Sequence, residues 1–260
     1  MIYLIDTHAH LNHEDFQDDI REVLERAQTA GVTRIVVPGY DLNSSERAVE
    51  LAETHDEIYA AVGVHPHDAK TLDDEVLHKI GELAKSDKVV AIGEIGLDFH
   101  YDFSPREKQI EAFGVQAQLA RELGLPLIVH TREAAEEVLA ALRRKTWGEN
   151  AGVMHHFSGD ESFAREALGM GFLLGIAGPI TYKKNEDMRE VIRQIGIERL
   201  VVETDAPYAS PQVFRGKRNE PSYVKFVAEK IAELLDLTVE EVAAKTSQNA
   251  EELFRLSCGK

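Results

Sequence analysis

Eight short aliphatic and β-branched runs recur along this chain with longer amphipathic segments between them, and that alternation restricts the fold more than any other feature. Parallel strands covered by helices on their outer face read as such runs, because neither face meets water. The runs are Ile2 to Asp6, Arg34 to Pro38, Ile58 to Val62, Val89 to Gly93, Pro126 to Val129, Gly152 to Met154, Phe172 to Gly175 and Leu200 to Glu203. Helical periodicity marks Phe16 to Thr29, Ser44 to Thr54, Pro105 to Leu123, Ala134 to Lys145 and Asp187 to Gln194, and returns after the last strand in Ser222 to Leu235 and Val239 to Arg255. Gly31, Gly124 and Gly171 stand where helices should end and strands begin, the expected place for a glycine C-cap. With no internal repeat and no break in composition, the pattern predicts one α/β domain over residues 1–260, a TIM (β/α)8 barrel.

The length agrees, since 260 residues lies near the roughly 250 typical of that barrel. A hydrophobic content of 43% supplies a core, and no apolar stretch approaches the roughly 18 residues of a membrane span, so no membrane association is expected. The segment MIYLIDTHAH lacks a basic leader and a small-residue cleavage site, and reads as a first strand. Cys258, the one cysteine, rules out an internal disulfide and accords with a cytoplasmic setting. The net charge of −17 opposes nonspecific attraction to nucleic-acid phosphates, so a polyanionic substrate would need local cations.

Asp6-Thr7-His8-Ala9-His10 closes the first run, and alternate strand residues share a face, so His8 and His10 are placed to meet one ion. By itself an HxH pair is weak evidence. Its force comes from recurrence: Glu94 follows VVAIG, His130 follows PLIV, His155 follows AGVM, and Asp205 follows LVVET. In a parallel barrel these strand ends converge on one face, the face that carries active sites. Four imidazoles and two carboxylates exceed the needs of one tetrahedral ion, and a bridging Glu94 would allow two divalent ions roughly 3.5–4 Å apart.

Several neighbours admit two readings. His65, in GVHPHD, is placed either to contact a substrate oxygen or merely to shape its loop, and His67 and His100 are weaker candidates. Arg132 contacts a phosphate or pairs with Glu133 and Glu136; Arg215, Lys217 and Arg218 bind phosphate or form a solvated basic loop. Asp6 either orients a histidine or caps the strand end, and Glu203 is expected to support the loop or a ligand. His156 would face away from His155 if the strand continued, and is expected to be a bystander.

Together the motifs DTHAHL, GVHP, GEIGLDF, PLIVHTREA, MHHFSG, ETDAPY and RGKRNEP resemble the TatD family of metal-dependent deoxyribonucleases, over nearly the whole chain. The resemblance implies an amidohydrolase-like TIM barrel, a divalent-metal centre and hydrolysis of DNA phosphodiester bonds, typically as a 3′ to 5′ exonuclease. Residue by residue it places His8, His10, Glu94, His130, His155 and Asp205 at the metals and His65 beside the substrate phosphate. Some members lack the first HxH pair, which this chain keeps; the family fills the position of His156 variably.

The resulting expectation is one ion in His8, His10, Glu94 and Asp205 and another in Glu94, His130 and His155, with Asp205 as general base for a water held between them. DNA is the expected substrate, and no obligate protein partner is evident. Histidine-rich ligation suits Zn, Mn, Co or Ni, whereas carboxylates and phosphate also admit Mg. A small ester or amide hydrolase on the same fold, and a noncatalytic protein that uses metal for stability, are the competing readings.

Overall fold

The structure is a computed structural model that describes residues 3–256; Ile2 and Cys258 lie outside the described residues. Each apolar run forms a strand, and the strands pair in parallel in chain order: β1 Leu4–Asp6, β2 Val32–Pro38, β3 Ile58–Val62, β4 Val89–Asp98, β5 Leu127–Arg132, β6 Gly152–Met154, β7 Phe172–Ile176 and β8 Leu200–Val202. Between and after them run α1 Ile20–Thr29, α2 Leu42–Thr54, α3 Asp74–Leu83, α4 Arg106–Leu123, α5 Ala135–Arg143, α6 Glu161–Gly169, α7 Glu186–Ile195, α8 Val224–Leu235 and α9 Val239–Phe254. The sheet curls so that β8 returns to β1. There the Thr7 amide donates to the Val202 carbonyl (3.1 Å), the Asp205 amide to that of His8 (2.8 Å) and the His10 amide to that of Ala206 (2.7 Å). The barrel predicted from the alternation is therefore present, and the segments that carry ligand-type residues stitch its seam.

Two layers of apolar side chains hold it together. Outward-facing strand residues such as Leu4, Ile35, Ile58, Ile92, Leu127 and Leu174 pack beneath the helices. Inward-facing Ile5, Val36, Ala61, Ala91, Ile128, Val153, Leu173 and Val201 fill the interior, where Leu253, Phe254 and Leu256 from the end of α9 plug the amino-terminal opening. Beside that plug the Tyr3 hydroxyl donates to Glu251 Oε1 (2.6 Å), as does Arg34 Nη1 (2.6 Å).

Local sequence explains most boundaries. The Asp41 side chain accepts from the Ser44 amide and Ser44 reciprocates at the start of α2; Thr238 and Glu241 form the same reciprocal cap on α9. Gly31, Gly124 and Gly171 all take positive φ (89°, 68° and 90°) at the ends of their helices, as expected. Helices α3 and α6 lie outside the segments marked by periodicity, although Asp73 and Asp160 cap them by accepting from the amides three residues on. The largest departure is β4, which continues five residues beyond the predicted Gly93 to Asp98 and is buried throughout. Among the described residues no helix is long and apolar enough to cross a membrane.

Candidate metal centre

The extension of β4 decides how the carboxyl-terminal mouth is built. Along β4 and β5 the register runs Ile92 with Leu127 and then Ile95 with Val129, three residues on one strand against two on the other. This bulge lies at Gly93 and Glu94 and re-aims the Glu94 side chain toward the barrel axis. Two residues on, Gly96 has φ +144°, and a Cβ there would sit 2.0 Å from the His130 carbonyl oxygen; only glycine lets β4 lie so close to the strand that carries His130. Glu94 and His130 thus belong to strands rather than to the loops after them.

All six candidate ligands from the sequence meet. His8 Nε2 and His10 Nε2 are 3.1 Å apart; Glu94 Oε2 is 3.4 and 3.5 Å from them, and Asp205 Oδ1 3.9 and 3.7 Å. The other Glu94 oxygen, Oε1, faces His130 Nδ1 at 2.8 Å, His65 Nε2 at 3.4 Å and His155 Nε2 at 3.6 Å. His155 Nε2 is also 3.8 Å from Asp205 Oδ1, and its ring stacks on that of His8 with centroids 3.5 Å apart, so it stands between the two groups. His65, expected beside a substrate phosphate, lies inside the second donor group, 8% exposed.

These donors fit divalent cations. Two Nε2 atoms face each other with carboxylate oxygens on either side, and at most one proton can be shared between the nitrogens, so their lone pairs and the carboxylates converge on common points. His8 Nδ1 is buried without a hydrogen-bond partner among the described residues. The charge states of Glu94, Asp205, His8 and His65 agree. Burial pushes the Glu94 carboxyl up, but the charges of His65, His155 and His8 carry it well below the usual range. For Asp205, burial is outweighed by the hydrogen bond from His156 and the charge of His155, and its carboxyl is likewise held ionised. Burial, reinforced by His155, lowers His8 to about 4, and burial lowers His65 to about 4, leaving both as neutral donors. Burial alone would lower His155, but Glu203 and Glu94 raise it to about 10.

Supporting groups surround the donors. Glu203 is fully buried; its Oε1 accepts from the His156 amide (2.6 Å) and lies 2.8 Å from His155 Nδ1, close enough for charge attraction though out of line for a ring N–H hydrogen bond. That is the supporting role expected of it. Asp6 does not reach a histidine ring: it accepts from the Thr204 amide (2.9 Å) and hydroxyl (2.6 Å) and so clasps the β1–β8 seam. Burial pushes its carboxyl up to about 8.

Two residues of the mouth differ from expectation. Because β6 stops at Met154, His156 does not alternate away; it takes φ +47°, and its Nδ1 lies 3.0 Å from Asp205 Oδ2. It is a partner of Asp205, not a bystander. Asp98 is missed from sequence because the apolar run of β4 ends at Gly93. Its Oδ2 is 2.9 Å from His67 Nε2 and 3.2 Å from His130 Nε2, holding the two rings together. Alternation from Glu94 through Gly96 to Asp98 was the available signal.

The basic candidates stand over aromatic rings or in ion pairs. Arg132 ends β5 with its guanidinium 4.6 Å over the Tyr101 ring and makes no ion pair with Glu133 or Glu136. Glu133 instead lies 2.7 Å from His100. Arg215 stands 4.7 Å over Tyr182 and Lys217 6.0 Å over Phe214, whereas Arg218 is bound to Asp19 at 2.6 Å.

Comparison with known proteins identifies the family. A family model described as TatD related DNase matches residues 5–255. An uncharacterized metal-dependent hydrolase of Bacillus subtilis, YabD, is 49% identical over 254 residues, covering 98% of this chain and all of that protein. A 3′-5′ ssDNA/RNA exonuclease TatD of Erwinia amylovora is 36% identical over 259 residues, covering 97% of this chain and 100% of that one. The crystal structure of YJJV, a TatD homologue from Escherichia coli K12, superposes with a TM-score of 0.93 at 33% identity, covering 98% of each chain. A continuous match of this extent, on a barrel whose mouth gathers metal-ligating side chains, places the chain in the TatD family of metal-dependent hydrolases.

Proposed function

We propose that this protein hydrolyses phosphodiester bonds of DNA, removing nucleotides from a 3′ end, with two divalent cations held at the barrel mouth. The observation that carries the reading is Glu94, whose two oxygens face different donors: Oε2 the pair His8 and His10, Oε1 the pair His65 and His130, with His155 between the two pairs. The Erwinia relative's name supplies the substrate class. When bound, such ions supply Lewis acidity that lowers the pKa of water and neutralises charge on a phosphate.

The chain's own groups do the rest. Asp205, held ionised, presents Oδ1 to the donors while His156 Nδ1 fixes Oδ2 at 3.0 Å, so it accepts the proton of the attacking water from a set position. Its backbone at φ +60° aims that carboxylate inward, a conformation rare for a residue with a Cβ and typical of functional sites. Glu94 keeps the two donor groups in register. Arg132, Arg215 and Lys217 contribute the local positive charge that a polyanion requires on a chain of net charge −17. That same net charge favours a second reading, hydrolysis of a small ester, amide or phosphoester.

The test is a hydrolysis panel on metal-stripped protein with Mg, Mn, Co, Ni and Zn restored singly. Single-stranded DNA, RNA, bis-p-nitrophenyl phosphate and simple esters are the substrates. Ion-dependent shortening of DNA from its 3′ end is expected; DNA left intact while an ester is cleaved overturns the nuclease reading.

A further inference from the structure

Among the described residues the exposed large apolar side chains include three aromatics, Tyr101 (46% exposed), Phe103 (57%) and Tyr208 (54%), and all three stand on loops at the carboxyl-terminal mouth. Exposed aromatic surface costs free energy in water, so its concentration beside one opening asks for an occupant. Tyr101 and Phe103 are stacked on each other, centroids 5.2 Å apart and planes within 10°, in the loop between β4 and α4. The edge contacts of His67 with Tyr101 (5.5 Å) and Phe103 (4.8 Å) tie the pair to the donor groups, because the same His67 ring packs 4.3 Å from His65 and shares Asp98 with His130. Over Tyr101 lies the guanidinium of Arg132, exposed and without an ion pair among the described residues.

We infer that Tyr101 and Phe103 form a stacking platform for an unpaired nucleobase next to the hydrolysed bond, with Arg132 contacting the adjoining phosphate; this rests on the nuclease reading. Three features select that occupant. A nucleobase offers a π-face to the open side of Phe103, whatever its sequence. An adjoining phosphate supplies the anion that Arg132 lacks, and the guanidinium's position over Tyr101 holds it for that contact. On a chain of net charge −17, a polyanion gains little from the general surface and depends on such anchors. Stacking also requires the base to be out of a duplex, so the platform selects single strands or frayed ends.

The experiment compares the wild type with the double variant Tyr101→Ala/Phe103→Ala on two oligonucleotides of equal length, one of thymidines and one with every base replaced by a tetrahydrofuran spacer. Thermal melting and metal content verify that the variant folds. The wild type should prefer the base-bearing strand, mainly through KM, and the double variant should lose that preference by on the order of tenfold. Phe103→Tyr, which keeps a ring, should retain it. Phe103→Ala alone reads the same way should the double variant unfold. Equal losses on both oligonucleotides, or a preference unchanged by removing the rings, overturn the platform. Failure of the wild type to cleave either oligonucleotide would instead sink the nuclease reading beneath it.

Discussion

At the amino-terminal end of the barrel, Leu253, Phe254 and Leu256 close the interior with apolar surface, while Tyr3, Arg34 and Glu251 satisfy one another beside them. At the carboxyl-terminal end the same strands finish in imidazoles and carboxylates, with His8 Nδ1 unpartnered among the described residues and His156 and Asp205 in left-handed backbone conformations (φ 47° and 60°). The strands are common to both ends, so secondary structure does not explain the contrast. The two ends serve different purposes, with packing that holds the barrel shut at one and convergent donors, at a local cost in stability, at the other. Substitutions at the two ends should therefore separate activity from stability.

The largest effect is expected at Glu94, whose two oxygens face different histidines. Glu94→Gln should lower turnover on the order of 10⁴-fold, as removal of one member of a catalytic set does, and should reduce the bound metal measured by elemental analysis. Full turnover with wild-type metal content would remove Glu94 from its role. At the opposite end, Phe254→Ala leaves a cavity beneath the barrel and should cost about 3–5 kcal/mol in urea unfolding, with turnover per folded molecule unchanged. If turnover fell with stability intact, the division between the two ends would be wrong.

Between these extremes, Asp98→Asn keeps the side chain's shape but weakens its hold on His130 and His67. A loss of about 10–100-fold in metal affinity is expected, read by competition with a chromogenic chelator. The effect that is smallest for each step of the variable is a proton linkage. In the metal-free protein Glu203 and Glu94 overcome burial and raise His155 to about 10, so its proton stabilises that form fully below about pH 6.5 and the contribution fades as pH rises toward 10. A metal takes the same ring only after the proton leaves. Apparent metal affinity should accordingly climb by up to about tenfold per pH unit between pH 7 and 9, with proton release seen by calorimetry in buffers of different ionisation enthalpy. Affinity flat across that range would contradict the ionised pairing of His155 with Glu203.

Much of this architecture is legible in the sequence for a simple reason: each strand is an apolar run and each of the six candidate ligands stands at or just past a run's end, so counting strands brings them to one face. Legibility fails where backbone geometry departs from the regular strand. The bulge at Gly93 and Glu94 carries β4 on to Asp98, and with the strand ended early Asp98 had no apparent place. The early end of β6 gives His156 a conformation that no alternation rule anticipates. Helices α3 and α6 are marked by their Asp73 and Asp160 caps, signals weaker than hydrophobic periodicity and easily passed over. His65 shows a different limit: a loop histidine's depth depends on how β3 and β4 pack, and the fold buries it among the donors.

The central claim is that one carboxylate joins two cation sites, and metal stoichiometry tests it most directly. Calorimetric titration of the metal-stripped protein with Mn should reach two ions per chain, and the Glu94→Gln variant should hold at most one tightly, with hydrolysis of single-stranded DNA appearing only as the second wild-type site fills. Saturation at a single ion with full hydrolysis, or two ions bound equally well by the variant, would contradict it.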